Sequence, residues 1–88
     1  MERSELVTAA ERLESAASAT EAGADRLGDL ADQLNRLATA ERGPDHGRLA
    51  RIQAALEELR DSVADGALDD INAADDAIDA YREDLEGV

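Results

Sequence analysis

The stretch that decides the fold is residues 43–63, GPDHGRLARIQAALEELRDSV. Its large apolar side chains recur in steps of three and four residues, which is typical of one face of a helix. They are Leu49, Ile52, Leu56, Leu59 and Val63. Just before them, Gly43 suits a helix C-terminus, Pro44 cannot continue that helix, and Asp45 can cap the next one. The stretch therefore predicts a helix over 46–64 and a boundary between the two halves of the chain.

The apolar spacing on either side of this helix predicts two more helices. After Val63 the spacing slips at Asp65-Gly66. Gly66 can end one helix and Asp65 can cap the next, so a last helix is predicted over 66–86. Upstream of the boundary, a broad stripe of Leu and Ala predicts a helix over 23–42.

The first twenty residues leave two alternatives open. Their apolar residues repeat at helical spacing but include few large side chains. Because this spacing stays in phase with that of the next segment, one helix over 4–42 is an alternative. Against it, Gly23 and Gly28 each cost about 1 kcal/mol in a helix interior, and Thr20 offers a cap. We favour a helix over 4–20, which makes the chain an all-α, antiparallel four-helix bundle.

The composition points to an environment rich in salt. The chain carries 22 acidic residues against nine basic ones, every one of them Arg, for a net charge of −13. Dense carboxylates repel each other, and molar salt shortens the screening length to about 3 Å and removes that cost. We therefore expect one acidic domain over 1–88 in the cytoplasm of a halophile, with hydrated cations loosely bound at its surface.

Composition also disfavours several classes of function. The chain has no Cys, which excludes a disulfide framework and a Cys-based metal site. No apolar run approaches the roughly 18 residues of a membrane span, and the N-terminus lacks the order of a signal peptide. Nucleic acid and anionic membranes are not expected partners, because their phosphates are bound by clustered basic side chains. We expect no cofactor and no metal.

No group of residues in the sequence amounts to a catalytic site. The acidic run of the last helix lacks the order of a calcium-binding loop and forms a polar stripe, so it is interpreted as a solvated face. The stripe contains Asp65, Asp69, Asn72, Asp76, Asp79 and Glu83. The one histidine, His46, adjoins Asp45 but has no Ser or Cys near it in the sequence, so a polar residue in a first helical turn is favoured over a general base. We expect a protein that is not an enzyme.

A few residues remain as loop or interaction positions: Asp45, His46, Arg48, Arg51 and Tyr81. If the last two helices pair antiparallel, Arg48 and Arg51 lie beside Glu83, Asp84 or Glu86 and form a surface ion cluster. Tyr81, the only aromatic residue, is either an amphipathic residue at the edge of the core or an exposed anchor for a partner.

The chain resembles a known family. At residues 42–51, RGPDHGRLAR, together with Tyr81-Arg82-Glu83 and Glu86-Gly87-Val88, it is similar to small acidic helical proteins of haloarchaea that share a Gly-Pro-Asp-His-Gly-Arg-Leu segment. This family is a domain of unknown function, and the resemblance spans essentially the whole chain. It implies a haloarchaeal source and an acidic helical fold, and it supplies no activity. The family pattern has a polar residue, often His, where this chain has Ile52, which argues against a shared histidine site.

Two hypotheses of function follow. The first is a non-catalytic helical interaction or scaffold protein, self-associating or bound to a partner protein, because the Ala-rich first helix is expected to leave neighbouring Leu side chains uncovered. The alternative is an acidic regulatory inhibitor whose last helix occupies a basic site on a partner protein.

Overall fold

A computed structural model describes residues 4–40 and 46–86, which fold into four helices. These are α1 (Ser4–Ser18), α2 (Ala24–Thr39), α3 (His46–Leu59) and α4 (Asp65–Glu86). The prediction of an all-α four-helix bundle is confirmed, and the alternative of one helix over 4–42 is wrong. The predicted boundary residues 43–45 lie outside the described residues, but α2 ends before them and α3 begins directly after them.

Polar contacts between the helices show that neighbours run antiparallel. The start of α4 lies beside the end of α1, because the backbone N–H of Ala64 donates to Thr20 Oγ1 at 3.0 Å. Further along, Arg12 Nε lies 3.4 Å from Asp70 Oδ1. The bundle measures 38 × 19 × 17 Å, with α1 between α2 and α4 and diagonally opposite α3.

The α1 helix holds the core together through small side chains. Three of its five buried residues are alanines: Ala9, Ala10 and Ala16. Because these side chains are short, the backbones of α2 and α4 come close to α1 on both sides. Three leucines of α2 are consequently covered, with Leu27 and Leu34 at 0% and Leu30 at 1% exposure. The expectation that the thin Ala face leaves Leu side chains partly uncovered is therefore wrong for these three, whereas Leu37 is only partly buried.

The break between α1 and α2 depends on Gly23. This residue has φ 80° and ψ 0°, the left-handed conformation that glycine adopts without a steric penalty. Thr20, the expected cap, does not cap α2. Its hydroxyl donates to the Ala22 carbonyl and accepts from the Ala64 N–H, each at 3.0 Å, and so ties the α1–α2 loop to the α3–α4 loop.

The α3 helix ends five residues earlier than predicted, at Leu59 instead of residue 64. The Leu59 carbonyl accepts hydrogen bonds from the N–H groups of Ser62 and Val63, and this tight turn reverses the chain. Gly66 does not end α3, because it lies in the first turn of α4, which begins at Asp65. The other predicted helix ends agree with the structure to within about three residues.

Replacing Gly23 by Ala tests this break. A Cβ atom there would lie 3.0 Å from Leu59 Cδ2, and the left-handed conformation penalises any L side chain. We expect Gly23→Ala to lower the free energy of unfolding by about 1–2 kcal/mol in urea denaturation. The matched control is Gly28→Ala, since nothing lies within 4 Å of a Cβ at this helical position. That change should stabilise the protein by up to about 1 kcal/mol, and equal losses at both sites would contradict the assignment.

Candidate functional site

A chain of polar side chains joins α3 to α4. Arg82 donates from Nε to His46 Nδ1 at 3.1 Å and from Nη1 to Gln53 Oε1 at 2.7 Å. Gln53 Nε2 in turn donates to Asp75 Oδ1 and to Asp79 Oδ1, both at 2.8 Å. We call these five residues the polar chain. It fixes the register of the two helices, because a shift of either helix would break several hydrogen bonds at once.

The polar chain gives no positive sign of catalysis. His46 Nδ1, the lone pair that a general base would use, already accepts the hydrogen bond from Arg82. Within the described part of the molecule, His46 makes no hydrogen bond to a hydroxyl group. Asp45, the neighbour predicted to accompany it, lies outside the described residues. The described hydrogen bond of His46 therefore joins α3 to α4.

The acidic stripe of α4 is solvated, as predicted. All six of its members are exposed: Asp65, Asp69, Asn72, Asp76, Asp79 and Glu83. Asp75, the residue before Asp76 of the stripe, is half-buried instead. Its Oδ2 atom lies 3.5 Å from Arg60 Nη2. Across residues 4–40 and 46–86, no three His, Cys, Asp or Glu side chains are grouped so that they could hold a metal ion. None of the helices in these ranges combines the length and the apolar character that a bilayer span requires.

An open groove runs between α2 and α3. Unlike α1 and its neighbours, these two helices do not bring their described backbones close together. One end of the groove is a depression of about 220 Å³ lined by Arg26, Leu30, Gln33, Arg48, Arg51 and Ile52. The groove continues into a second depression of about 260 Å³ lined by Arg26, Ala55, Glu58, Leu59 and Ser62. We call the whole feature the α2–α3 groove and its first depression the arginine pocket.

The arginine pocket is a positive site in a strongly negative protein. Three arginines line it and none of its lining residues is acidic, whereas three other depressions in the described structure each have at least one acidic residue in their lining. Among the described residues, Arg26 and Arg51 form no ion pair, although the chain carries 22 acidic side chains. The apolar floor is closed, with Leu30 and Ile52 only 1% and 2% exposed. Any ligand therefore meets mainly the charged rim.

Two of the predicted interaction positions line this pocket, and one is buried elsewhere. Arg51 forms no ion pair with Glu83 or Asp84 in the described structure. Arg51 and Arg48 instead lie on the flank of α3 that faces α2. Tyr81 is 1% exposed and belongs to the core, which excludes an exposed anchor.

Sequence reasoning missed the contributions of α2 and the centre of the polar chain. Arg26 and Gln33 line the arginine pocket together with Leu30. Arg26 lies four residues before Leu30 and Gln33 three residues after it, and this spacing is the signal that could have placed both beside the apolar stripe of α2. Gln53, which bonds three partners, carried no signal of its own.

These features define a small acidic helical bundle with one arginine-lined groove. The chain belongs to a family of unknown function, DUF7553, whose sequence profile matches residues 1–84. No curated protein and no solved structure matches it. The predicted membership of a family of unknown function is confirmed, while the haloarchaeal source remains a prediction.

Proposed function

We propose that this protein is a non-catalytic interaction module of a halophilic cytoplasm, and that it docks a partner protein or a second copy of itself in the α2–α3 groove. The observation that carries the proposal is the unequal closure of the bundle. The α1 helix packs closely against α2 and α4, and the polar chain joins α3 to α4. Among the described residues, the backbones of α2 and α3 do not come close together, which makes this side the natural place for an external helix or loop.

Electrostatics explains why this side stays open. Arginines on α2 and α3 line the same depression, and their positive charges repel each other across the α2–α3 groove. A bound partner that supplies negative charge removes this repulsion and covers the rim. The groove is thus better suited to association than to closure within a single chain.

The exposed acidic stripe supports the halophilic part of the proposal. Its carboxylates repel each other at low ionic strength, and molar KCl screens them. The unfolding temperature should therefore rise between dilute buffer and molar KCl, and a fall over that range would contradict this part.

The docking part is tested with a pair of variants that change the charge equally. Arg51→Glu reverses a charge inside the arginine pocket, whereas Arg36→Glu reverses an exposed charge on α2 outside it. Affinity capture from the native host in molar KCl, together with size-exclusion chromatography and light scattering, measures partner binding and self-association. We expect wild type and Arg36→Glu to retain the partner or the second copy, and Arg51→Glu to lose it. Equal retention by all three proteins would overturn the docking site.

The exposed acidic face of α4 favours a second candidate function, the acidic inhibitor. Asp76 and Glu83 are exposed and form no ion pair among the described residues, so both are available to a basic partner. Asp75 and Asp79 are unsuitable for testing this, because both hold Gln53. Loss of a captured partner from a double variant, Asp76→Asn with Glu83→Gln, would favour the inhibitor over the groove.

A further inference from the structure

We infer that the arginine pocket binds a multivalent oxyanion, meaning phosphate or clustered carboxylate groups that carry at least two negative charges. The inference goes beyond the proposed docking function, because a free anion would occupy the pocket without any protein partner. It starts from the three arginines and one glutamine that line a single depression.

The donor groups come from both sides of the pocket. Arg26 and Gln33 lie on α2, seven residues and about 10.5 Å apart along the helix, and Arg48 and Arg51 lie about one turn apart on α3. A guanidinium group offers five N–H donors in a planar fork that matches the oxygen atoms of phosphate and carboxylate. An oxyanion in the pocket can thus accept charge-assisted hydrogen bonds from both helices at once.

The start of α3 adds to the positive potential. Arg48 and Arg51 lie in the first two turns of this helix, whose N-terminal end carries the positive pole of the helix dipole. The pocket volume of about 220 Å³ equals that of about seven water molecules, which leaves room for a phosphate or pyrophosphate ion with part of its hydration shell.

The net charge of −13 opposes anion binding, but only over long distances. At molar salt the screening length is about 3 Å, so the acidic stripe of α4 is screened from the pocket while direct guanidinium contacts persist. Chloride is abundant under these conditions, yet a single monovalent ion offsets only one of the three arginine charges. A multivalent oxyanion replaces several chloride ions and gains bidentate geometry.

The test is a titration of the folded protein in molar KCl, in which the amide chemical shifts are monitored by nuclear magnetic resonance. Two probes are used: pyrophosphate, as a free oxyanion, and a synthetic helical peptide with paired Glu side chains, as an oxyanion carried by a partner. We expect saturable shifts in residues 26–33 and 48–52. Arg51→Gln should weaken binding about tenfold, since a charge-assisted hydrogen bond is lost. The matched control, Arg36→Gln, should change the affinity by less than about twofold.

The outcomes separate this inference from the docking function. Binding of either probe that is lost in an Arg26→Gln, Arg51→Gln double variant supports the site, and the probe that binds identifies the source of the oxyanion. No saturable shift with either probe, or full binding by the double variant, overturns it. Pyrophosphate binding combined with unchanged partner capture by Arg51→Glu would uphold the oxyanion site and reject the docking function. Far-ultraviolet circular dichroism verifies that every variant is folded.

Discussion

Replacing Tyr81 by Ala is expected to lower the free energy of unfolding by about 3–5 kcal/mol, the range for truncating a buried aromatic side chain. Tyr81 is 1% exposed and is the only aromatic residue in the chain. A domain of 88 residues has a total stability of about 4–13 kcal/mol, so this single change removes a large part of it. Thermal unfolding followed by circular dichroism in molar KCl measures the loss.

The control is Tyr81→Phe, which keeps the ring in the core and removes only the hydroxyl group. We expect it to retain most of the stability, because the buried aromatic ring stays in place. If Tyr81→Ala were as stable as wild type but failed to bind a partner, the core assignment would be wrong and Tyr81 would be a surface anchor after all.

Replacing Ala10 by Leu is expected to have the second-largest effect. Ala10 is fully buried on α1, where the backbones of two neighbouring helices come close. The three extra carbon atoms have no space, so the helices must separate or the side chain must take a strained rotamer. We expect the free energy of unfolding to fall by about 2–3 kcal/mol in urea denaturation.

A control of the same size change is Ala50→Leu, on the exposed side of α3. It adds an identical volume in solvent and should alter stability by no more than about 0.5 kcal/mol. A stabilising effect of Ala10→Leu would show that α1 has room for larger side chains and would contradict the close packing.

The helices were predictable from the sequence, but some of their ends were not. Apolar spacing and the Gly43-Pro44 pair placed all four helices, and the left-handed Gly23 settled the open alternative. The end of α3 was misplaced because Val63 continues the apolar spacing although it lies in a turn. Its side chain packs against the core from outside the helix, so apolar periodicity extends past the last helical residue.

The candidate site was predictable only in part. Arg48 and Arg51 were identified as interaction positions, yet they were assigned to the α4 side of α3. A helix has two flanks beside its apolar face, and periodicity does not say which neighbour each flank meets. The α4 residue that contacts the start of α3 is Arg82. A search for ion pairs overlooks it, because its hydrogen-bond acceptors, His46 and Gln53, are not acidic residues.

The diagonal placement of α3 creates a gradient of amide hydrogen exchange across the molecule. Because the backbone of α3 comes close to fewer neighbours than that of α1 does, we expect α3 to separate locally while α1, α2 and α4 stay packed. Its amide protons therefore exchange through local opening, whereas those at the centre of α1 exchange only when the whole chain unfolds. A ligand held between α2 and α3 should slow the amide exchange of α3 selectively. The exchange rate of α3 therefore reports whether the groove is occupied.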